Sequence, residues 1–400
     1  MHLKQCGLDS SGSRNAWGKH VKKVLMASSA LLGVGVIASP AVAADGIKLG
    51  IGGFFKTAYM MNFDDDSEGD LGNERNTDGV FSDAEIHFTG STVLDNGLEV
   101  GARVELEGED DGAAADQIDE AWIYFSGGFG ELRMGSDDDA LANACIVPPG
   151  GTGNFSAFSP NQWGANTNTS NTVCTGVDDR GDAQKFVYIT PSFAGFQFTG
   201  SYTPNGGDER HGDGVGAHLG MPANADGESR HNVAGYFSYS YEGDGWGLTA
   251  GAGAAVEGHV EQAPGPDRDE QEFYQAGLNL TFGNFAVGGV FEYFNDLLEQ
   301  GDNSVDAWVA GAGIAYSMDA WTVGLQYSHG DAEDDGEAGG EGTQDRAIIT
   351  GNYALGPGIN IDAEVAYTWV DSEDGGAVFG DDALGNYEAL EIGIGTNITF

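Results

Sequence analysis

The last fifteen residues, Asn386–Phe400, read NYEALEIGIGTNITF. Leu390, Ile392, Ile394, Ile398 and Phe400 fall on one side of an extended chain, and Glu391, Gly393, Gly395, Asn397 and Thr399 on the other. Successive side chains of a strand point to opposite faces, so this is a strand with one oily face and one wet face. No tail follows it to cover its edge, and an exposed half-apolar edge invites a partner strand. The counterpart is Gly46–Asn62, where Ile47, Leu49, Ile51, Phe55 and Tyr59 alternate with Lys48, Gly50, Gly52, Lys56 and Ala58. Pairing the two ends would close the sheet into a barrel and abolish its edge. The competing reading is the edge strand of a secreted β-sandwich.

The start of the chain carries Lys19, Lys22 and Lys23, an apolar run from Val24 to Ile37, and then Ala41-Val42-Ala43. A basic region, a short apolar region and a small-residue site read as a cleaved secretory signal over residues 1–43. Residues 44–400 remain as the mature region. Removing the leader leaves 11 Lys and Arg against 62 Asp and Glu, a formal net charge of −51. Such a chain repels nucleic-acid phosphate and draws cations. Aromatic residues at 10% and regular alternation argue against global disorder. No later apolar run is long enough for a membrane helix. Of the three cysteines Cys6 leaves with the leader, and Cys145 and Cys174, in an oxidising compartment, read as a structural disulfide.

The connections arbitrate between sandwich and barrel. Short turns such as Asp95-Asn96-Gly97, Ser126-Gly127-Gly128, Gly243-Asp244-Gly245, Gly283-Asn284 and Gly356-Pro357-Gly358 alternate with long acidic loops. About sixteen strands result, as an antiparallel transmembrane barrel requires, with the short turns at the periplasmic end and the long loops outside. A soluble sandwich has no reason to gather every long loop at one end. Fifteen residues at ~3.3 Å each, tilted about 40°, stand ~38 Å tall, more than the ~25 Å apolar band. Because Lys or Arg on the lipid face costs roughly 2–4 kcal/mol at the midplane, the charged faces must line a lumen. Trp321, Val323, Leu325 and Tyr327, opposite Thr322, Gly324, Gln326 and Ser328, show the split. Aromatics near strand ends, among them Tyr59, Trp246, Phe282, Trp308, Trp321, Tyr367 and Trp369, suit two interfacial girdles.

Alternation points Lys48, Lys56, Arg103, Arg133 and Arg346 into the lumen, with Lys185 on an ambiguous strand. Inward acids outnumber them: Asp83, Glu85, Glu99, Glu105, Glu120, Glu131, Glu292, Asp362, Glu364 and Glu391. Rings of carboxylates favour cations, so cation preference is expected. A 45-residue insert, 136–180, is long enough to imply a task. Asp137, Asp138 and Asp139 stand at its start and Asp178 and Asp179 near its end, and a disulfide between Cys145 and Cys174 would staple much of it into one closed loop. The bland reading of each of these charges is a solvated loop residue or an internal salt bridge. Acidic runs such as Asp64-Asp65-Asp66 and Asp331–Asp335 lack the spacing of a calcium loop. They suit only weak Ca²⁺ or Mg²⁺ binding at the cell surface, bridging to lipopolysaccharide phosphates, or adaptation to a saline habitat. No resident cofactor is indicated.

The whole mature region resembles the general diffusion porins of Gram-negative bacteria, in particular the alphaproteobacterial type. The most specific likeness is Ala121–Gly135, AWIYFSGGFGELRMG, a strand, a Gly-Phe-Gly turn and a second strand leading into the third external loop. The Pro-Glu-Phe-Gly-Gly element of enteric porins is absent. The terminal strand ending in Phe400 resembles the assembly signal read by the barrel assembly machinery. The resemblance implies an outer-membrane homotrimer of water-filled barrels passing small hydrophilic solutes. It implies a third loop folded inward, and a basic cluster, here Arg103, Arg133 and Arg346, facing acids of that loop across the pore. A substrate-selective channel and a barrel enzyme are the alternatives. The enzyme would need a nucleophile beside a base, and neither a Gly-x-Ser-x-Gly nor a His-Glu-x-x-His element occurs.

Overall fold

The computed structural model describes residues 46–64, 77–108, 118–158, 171–174, 182–206, 229–259, 270–295, 305–334, 342–372 and 387–400. The expected leader, 1–43, lies outside them. Sixteen strands are present among the described residues. The first eight are β1 (Lys48–Asp64), β2 (Asp78–Val93), β3 (Glu99–Glu107), β4 (Ile118–Gly127), β5 (Gly130–Ser136), β6 (Gln184–Ile189), β7 (Phe196–Asn205) and β8 (Ser229–Glu242). The rest are β9 (Trp246–His259), β10 (Gln271–Phe282), β11 (Phe285–Asn295), β12 (Val305–Met318), β13 (Trp321–Asp334), β14 (Gly342–Gly356), β15 (Ile359–Ser372) and β16 (Tyr387–Thr399). One short helix, α1 (Ala140–Ala144), follows β5. Each strand pairs with its sequence neighbours, and β1 pairs antiparallel with β16, so the sheet is a closed barrel.

The closing seam runs from Phe54↔Thr399 to Asp64↔Ala389. It ends in reciprocal backbone bonds, Gly53 N to Phe400 O and Phe400 N to Gly53 O, each 3.1 Å. Gly53 has φ +151°, and a Cβ there would stand 2.2 Å from the Glu85 carbonyl oxygen. Only glycine satisfies both conditions.

Alternation along β1 separates the faces cleanly. Ala58 and Met60 point inward and are buried, while Phe55, Tyr59 and Phe63 point outward and are exposed. Outward aromatics gather at both ends of the wall. At the short-turn end Tyr241 meets Trp246 (centroids 4.6 Å), Phe285 meets Tyr316 (4.8 Å) and Trp321 meets Tyr353 (4.4 Å). Near the loop end the tyrosines give their hydroxyl protons to outward carboxylates. Tyr59 donates to Asp78 (2.7 Å), Tyr293 to Asp306 (2.8 Å), and Tyr327 and Tyr367 to Asp345 and Glu388. A ring in hydrocarbon with its tip at a charged boundary suits an amphipathic side chain.

The wall is not level. β1 has 17 residues, whereas β5 has 7 and β6 has 6. At ~3.3 Å per residue and about 40° of tilt, β5 and β6 rise only ~15–18 Å, less than the ~25 Å apolar band. The height expected of a fifteen-residue strand is therefore not reached on this side.

Two changes test the closure. Gly53→Val is expected to destabilise the barrel by about 2–3 kcal/mol through backbone strain. Deleting Phe400 is expected to cost roughly 1–3 kcal/mol through two lost backbone bonds. Both should lower the temperature at which the folded band converts to the unfolded band on gels.

Candidate functional site

The described parts of the connection after β5, 137–158 and 171–174, fold into the lumen and lie along the inner wall. At its root Asp139 caps α1, accepting from Leu141 N (2.7 Å) and Ala142 N (3.1 Å). A disulfide joins Cys145 to Cys174, with Cα atoms 5.4 Å apart, tying the outgoing leg to the returning one. Beyond it the backbone runs past one strand after another. Asn279 of β10 donates to Val147 O (2.9 Å), Gln326 of β13 to Pro148 O (2.9 Å) and Thr350 of β14 to Gly150 O (2.5 Å). Asn154 donates to Asp362 of β15 (2.9 Å), and Phe155 packs by Met60 and Gly393. On the way back Ser328 of β13 donates to Ala157 O (3.0 Å), Asn171 to Gln344 O (2.8 Å) and Cys174 N to Glu292 (2.6 Å).

The inner faces of β10 to β16 are thus a polar bed whose side chains satisfy loop backbone groups that would otherwise be buried unpaired. The amide of Gln326 serves both legs, since its oxygen accepts from Ser156 and from Ala157 N while its nitrogen donates to Pro148. The approach is close enough to need glycine at Gly313, where a Cβ would stand 1.9 Å from Pro149 O.

The opposite wall, β2 to β5, carries the charges that meet the lumen. Arg103 pairs with Glu105 and donates to Nδ1 of His87 (3.1 Å), and His87 Nε2 lies 2.7 Å from Glu85. The Trp122 ring sits 5.9 Å from the Arg103 guanidinium and 4.7 Å from that of Arg133. Arg133 in turn donates to Glu131 (2.7 Å), Asp137 (3.4 Å) and Asn143 (3.2 Å), reaching the root of the loop. Lys56 pairs with Asp83 at 3.3 Å, and Lys185 donates to the Asp137 carbonyl.

The residues singled out from the sequence divide between these walls. Arg103, Glu120 and Arg133 stand half-buried on the wall that the described part of the loop leaves uncovered, with Glu105 buried beside Arg103. Lys56 is inward but buried, and Lys48 is exposed at the short-turn end. Arg346, Asp362 and Glu364 point inward yet are at most 3% exposed. Arg346 is held by Glu364 (3.6 Å) and Glu391 behind the loop, so these three are corrected from pore lining to loop seat. Asp137 and Asp139 are buried in the loop root, while Asp138 is half-buried. Asp178 and Asp179 lie outside the described residues. Trp122, Asn143, Asn154, Asn171 and Gln326 were not singled out, and nothing beyond their polar-face position marked Gln326 or Trp122.

Glu120, Asp138 and Asp182 bring carboxylate oxygens within 4.8 Å of one another, an oxygen set of the kind hard cations accept. Burial, with Asp182 and Asp137 beside it, pushes the Asp138 carboxyl well above the usual aspartate range, and Lys185 offsets only part of this.

A sequence profile of Gram-negative porins matches residues 27–374. The chain belongs to the Gram-negative porin family. Solved structures agree in fold. This porin is similar to a loop L8 deletion mutant of OmpT, an outer membrane protein of Vibrio cholerae (13% identity, TM-score 0.59, 89% of this chain and 100% of that one). It is also similar to the anion-selective porin from Comamonas acidovorans (17%, 0.55, 88% and 100%) and to a porin refined at 1.8 Å (18%, 0.56, 88% and 100%). No curated protein matches the sequence. Family and fold place this porin in the outer membrane.

Two measurements probe the loop. Gly313→Val should lift it from its seat and raise single-channel conductance while leaving the barrel heat-modifiable. An acid whose value is raised in the docked loop contributes stability at low pH that is lost as pH climbs through that raised value. The thermal transition of the wild type should therefore decline with rising pH above the ordinary aspartate range, and Asp138→Asn should flatten that decline.

Proposed function

We propose that this porin is a cation-preferring, water-filled channel for passive diffusion of small hydrophilic solutes. The observation that carries the reading is the loop seated on β10 to β16, with the β2 to β5 wall left facing the lumen among the described residues. On that wall Arg103 is matched by Glu105 and Arg133 by Glu131 and Asp137, and on adjoining β1 the buried Lys56 is matched by Asp83. Glu85, Glu107, Asp119 and Glu120 add further negative charge there. The mature charge of −51 acts in the same sense over longer range. One structural neighbour is described as anion-selective, so the fold itself does not decide the sign.

A homotrimer is the assembly the reading favours. The low wall at β5 and β6 cannot span the apolar band alone, and a neighbouring copy would cover it. A Vibrio cholerae OmpT is described in a trimer form. Phe400 would serve recognition by the assembly machinery, and the external carboxylates would meet lipopolysaccharide through exchangeable divalent cations. A substrate-selective channel is the second reading, favoured by Trp122 between two guanidinium groups on the lumen wall.

Purified mature protein in planar bilayers tests the proposal. Stepwise openings in threes, with a reversal potential favouring K⁺ in a KCl gradient, are the expected result. A folded barrel without conductance would contradict the channel, and a Cl⁻-favouring potential would contradict the selectivity.

A further inference from the structure

His87 stands at the centre of the charge network on the uncovered wall, and its two ring nitrogens face different chemistry. Nδ1 is 3.1 Å from a guanidinium nitrogen of Arg103. A guanidinium has donors only and stays protonated, so Nδ1 must be the acceptor and carry no proton. The neutral proton is then on Nε2, where Glu85 accepts it at 2.7 Å, with Glu105 at 3.4 Å on the same nitrogen. Donor rules thus fix one tautomer of a neutral imidazole.

A second proton has only Nδ1 to occupy. There it points at the Arg103 guanidinium, donor against donor and cation against cation, while Glu85 and Glu105 hold the ring from the other side. Glu85 in turn lies with Glu107 of β3 and Asp119 of β4, their carboxylate oxygens within 4.8 Å of one another. From β1 the Phe54 ring meets His87 edge-on with centroids 6.1 Å apart, and Lys56 is occupied by Asp83. From β3 come Arg103 and Glu105. From β4 Trp122 faces Arg103, and Glu120 lies within electrostatic reach of Glu105. The ring is held by two carboxylates and an aromatic edge; Arg103 is paired with Glu105 through Nε, and the nitrogen that meets His87 is at the tip of its long side chain, so it is that end of Arg103 that moves.

We propose that His87 is a selectivity-determining residue of the lumen, whose protonation drives the Arg103 guanidinium off its seat and toward the water path. Protonation adds one charge to the wall and exposes another, and both oppose cation passage. Histidine is the side chain whose ordinary charge change falls between pH 5 and 8. Cation preference therefore weakens when His87 takes up its second proton. The inference rests on the channel reading above.

The test is the K⁺/Cl⁻ permeability ratio of the full mature protein in bilayers, from reversal potentials in a KCl gradient at pH 8.0 and 5.5. The wild-type ratio is expected to fall about twofold or more, as lumen charge sets selectivity. His87→Gln keeps an oxygen to accept from Arg103 and an amide to donate to Glu85, so its ratio should fall clearly less than the wild-type ratio, the remaining decline being that of raised carboxyls such as Asp138. A wild-type ratio that does not change with pH overturns the proposal whether or not the variant folds. So does a heat-modifiable His87→Gln barrel that follows the wild-type decline. Absence of conductance at either pH would sink the channel reading instead, and this proposal with it.

Discussion

Backbone pairing in hydrocarbon is the constraint on which this structure depends. A lipid-exposed sheet edge leaves a row of amides and carbonyls that no water can reach, at several kcal/mol for each unsatisfied group. The chain removes its only two edges by pairing Phe54–Asp64 with Ala389–Thr399 and finishing on the Gly53–Phe400 couple. Once that seam is made, every strand has fixed in and out faces, because a slip of one residue would exchange them. The oily residues of β1 and β16 must then meet lipid and their polar alternates the lumen.

A lumen lined with polar side chains meets a second form of the same constraint. The loop after β5 enters with carbonyls at Pro148, Gly150 and Ala157 that would be costly if buried unpaired. The inward Gln326, Thr350 and Ser328 supply the missing donors. Half of the inner wall thereby becomes a seat. Charge on that half, Arg346 with Glu364 and Glu391, holds the loop's bed together rather than meeting solutes. Among the described residues the other half, β2 to β5, carries no such seated loop.

The barrel was legible because period-two alternation and alternating connection lengths are direct consequences of pleating and of a one-sided loop arrangement. The pairing of the terminal strands followed from that reading, whereas the Cys145–Cys174 bond followed from two cysteines in an exported chain and the inward loop was implied by the resemblance to porins. What was not legible is which inward residues the loop would cover. Parity assigns Arg346 and Arg103 to the same face, and only the path of the loop separates a seat from a lumen wall. Gly181 and Ala183 extend the strand pattern ahead of β6, which begins only at Gln184. Trp122 reads as one more inward aromatic until Arg103 and Arg133 are placed on neighbouring strands beside it.

Where the water runs separates a loop seat from a lumen wall. Because the native cysteines are joined, single cysteines introduced at Glu131 and at Gln326 can be probed with a charged, membrane-impermeant thiol reagent under non-reducing conditions. The account predicts rapid modification with loss of current for Glu131→Cys, and protection of Gln326→Cys beneath the docked loop. Equal modification of both, or protection at Glu131 with labelling at Gln326, would contradict it.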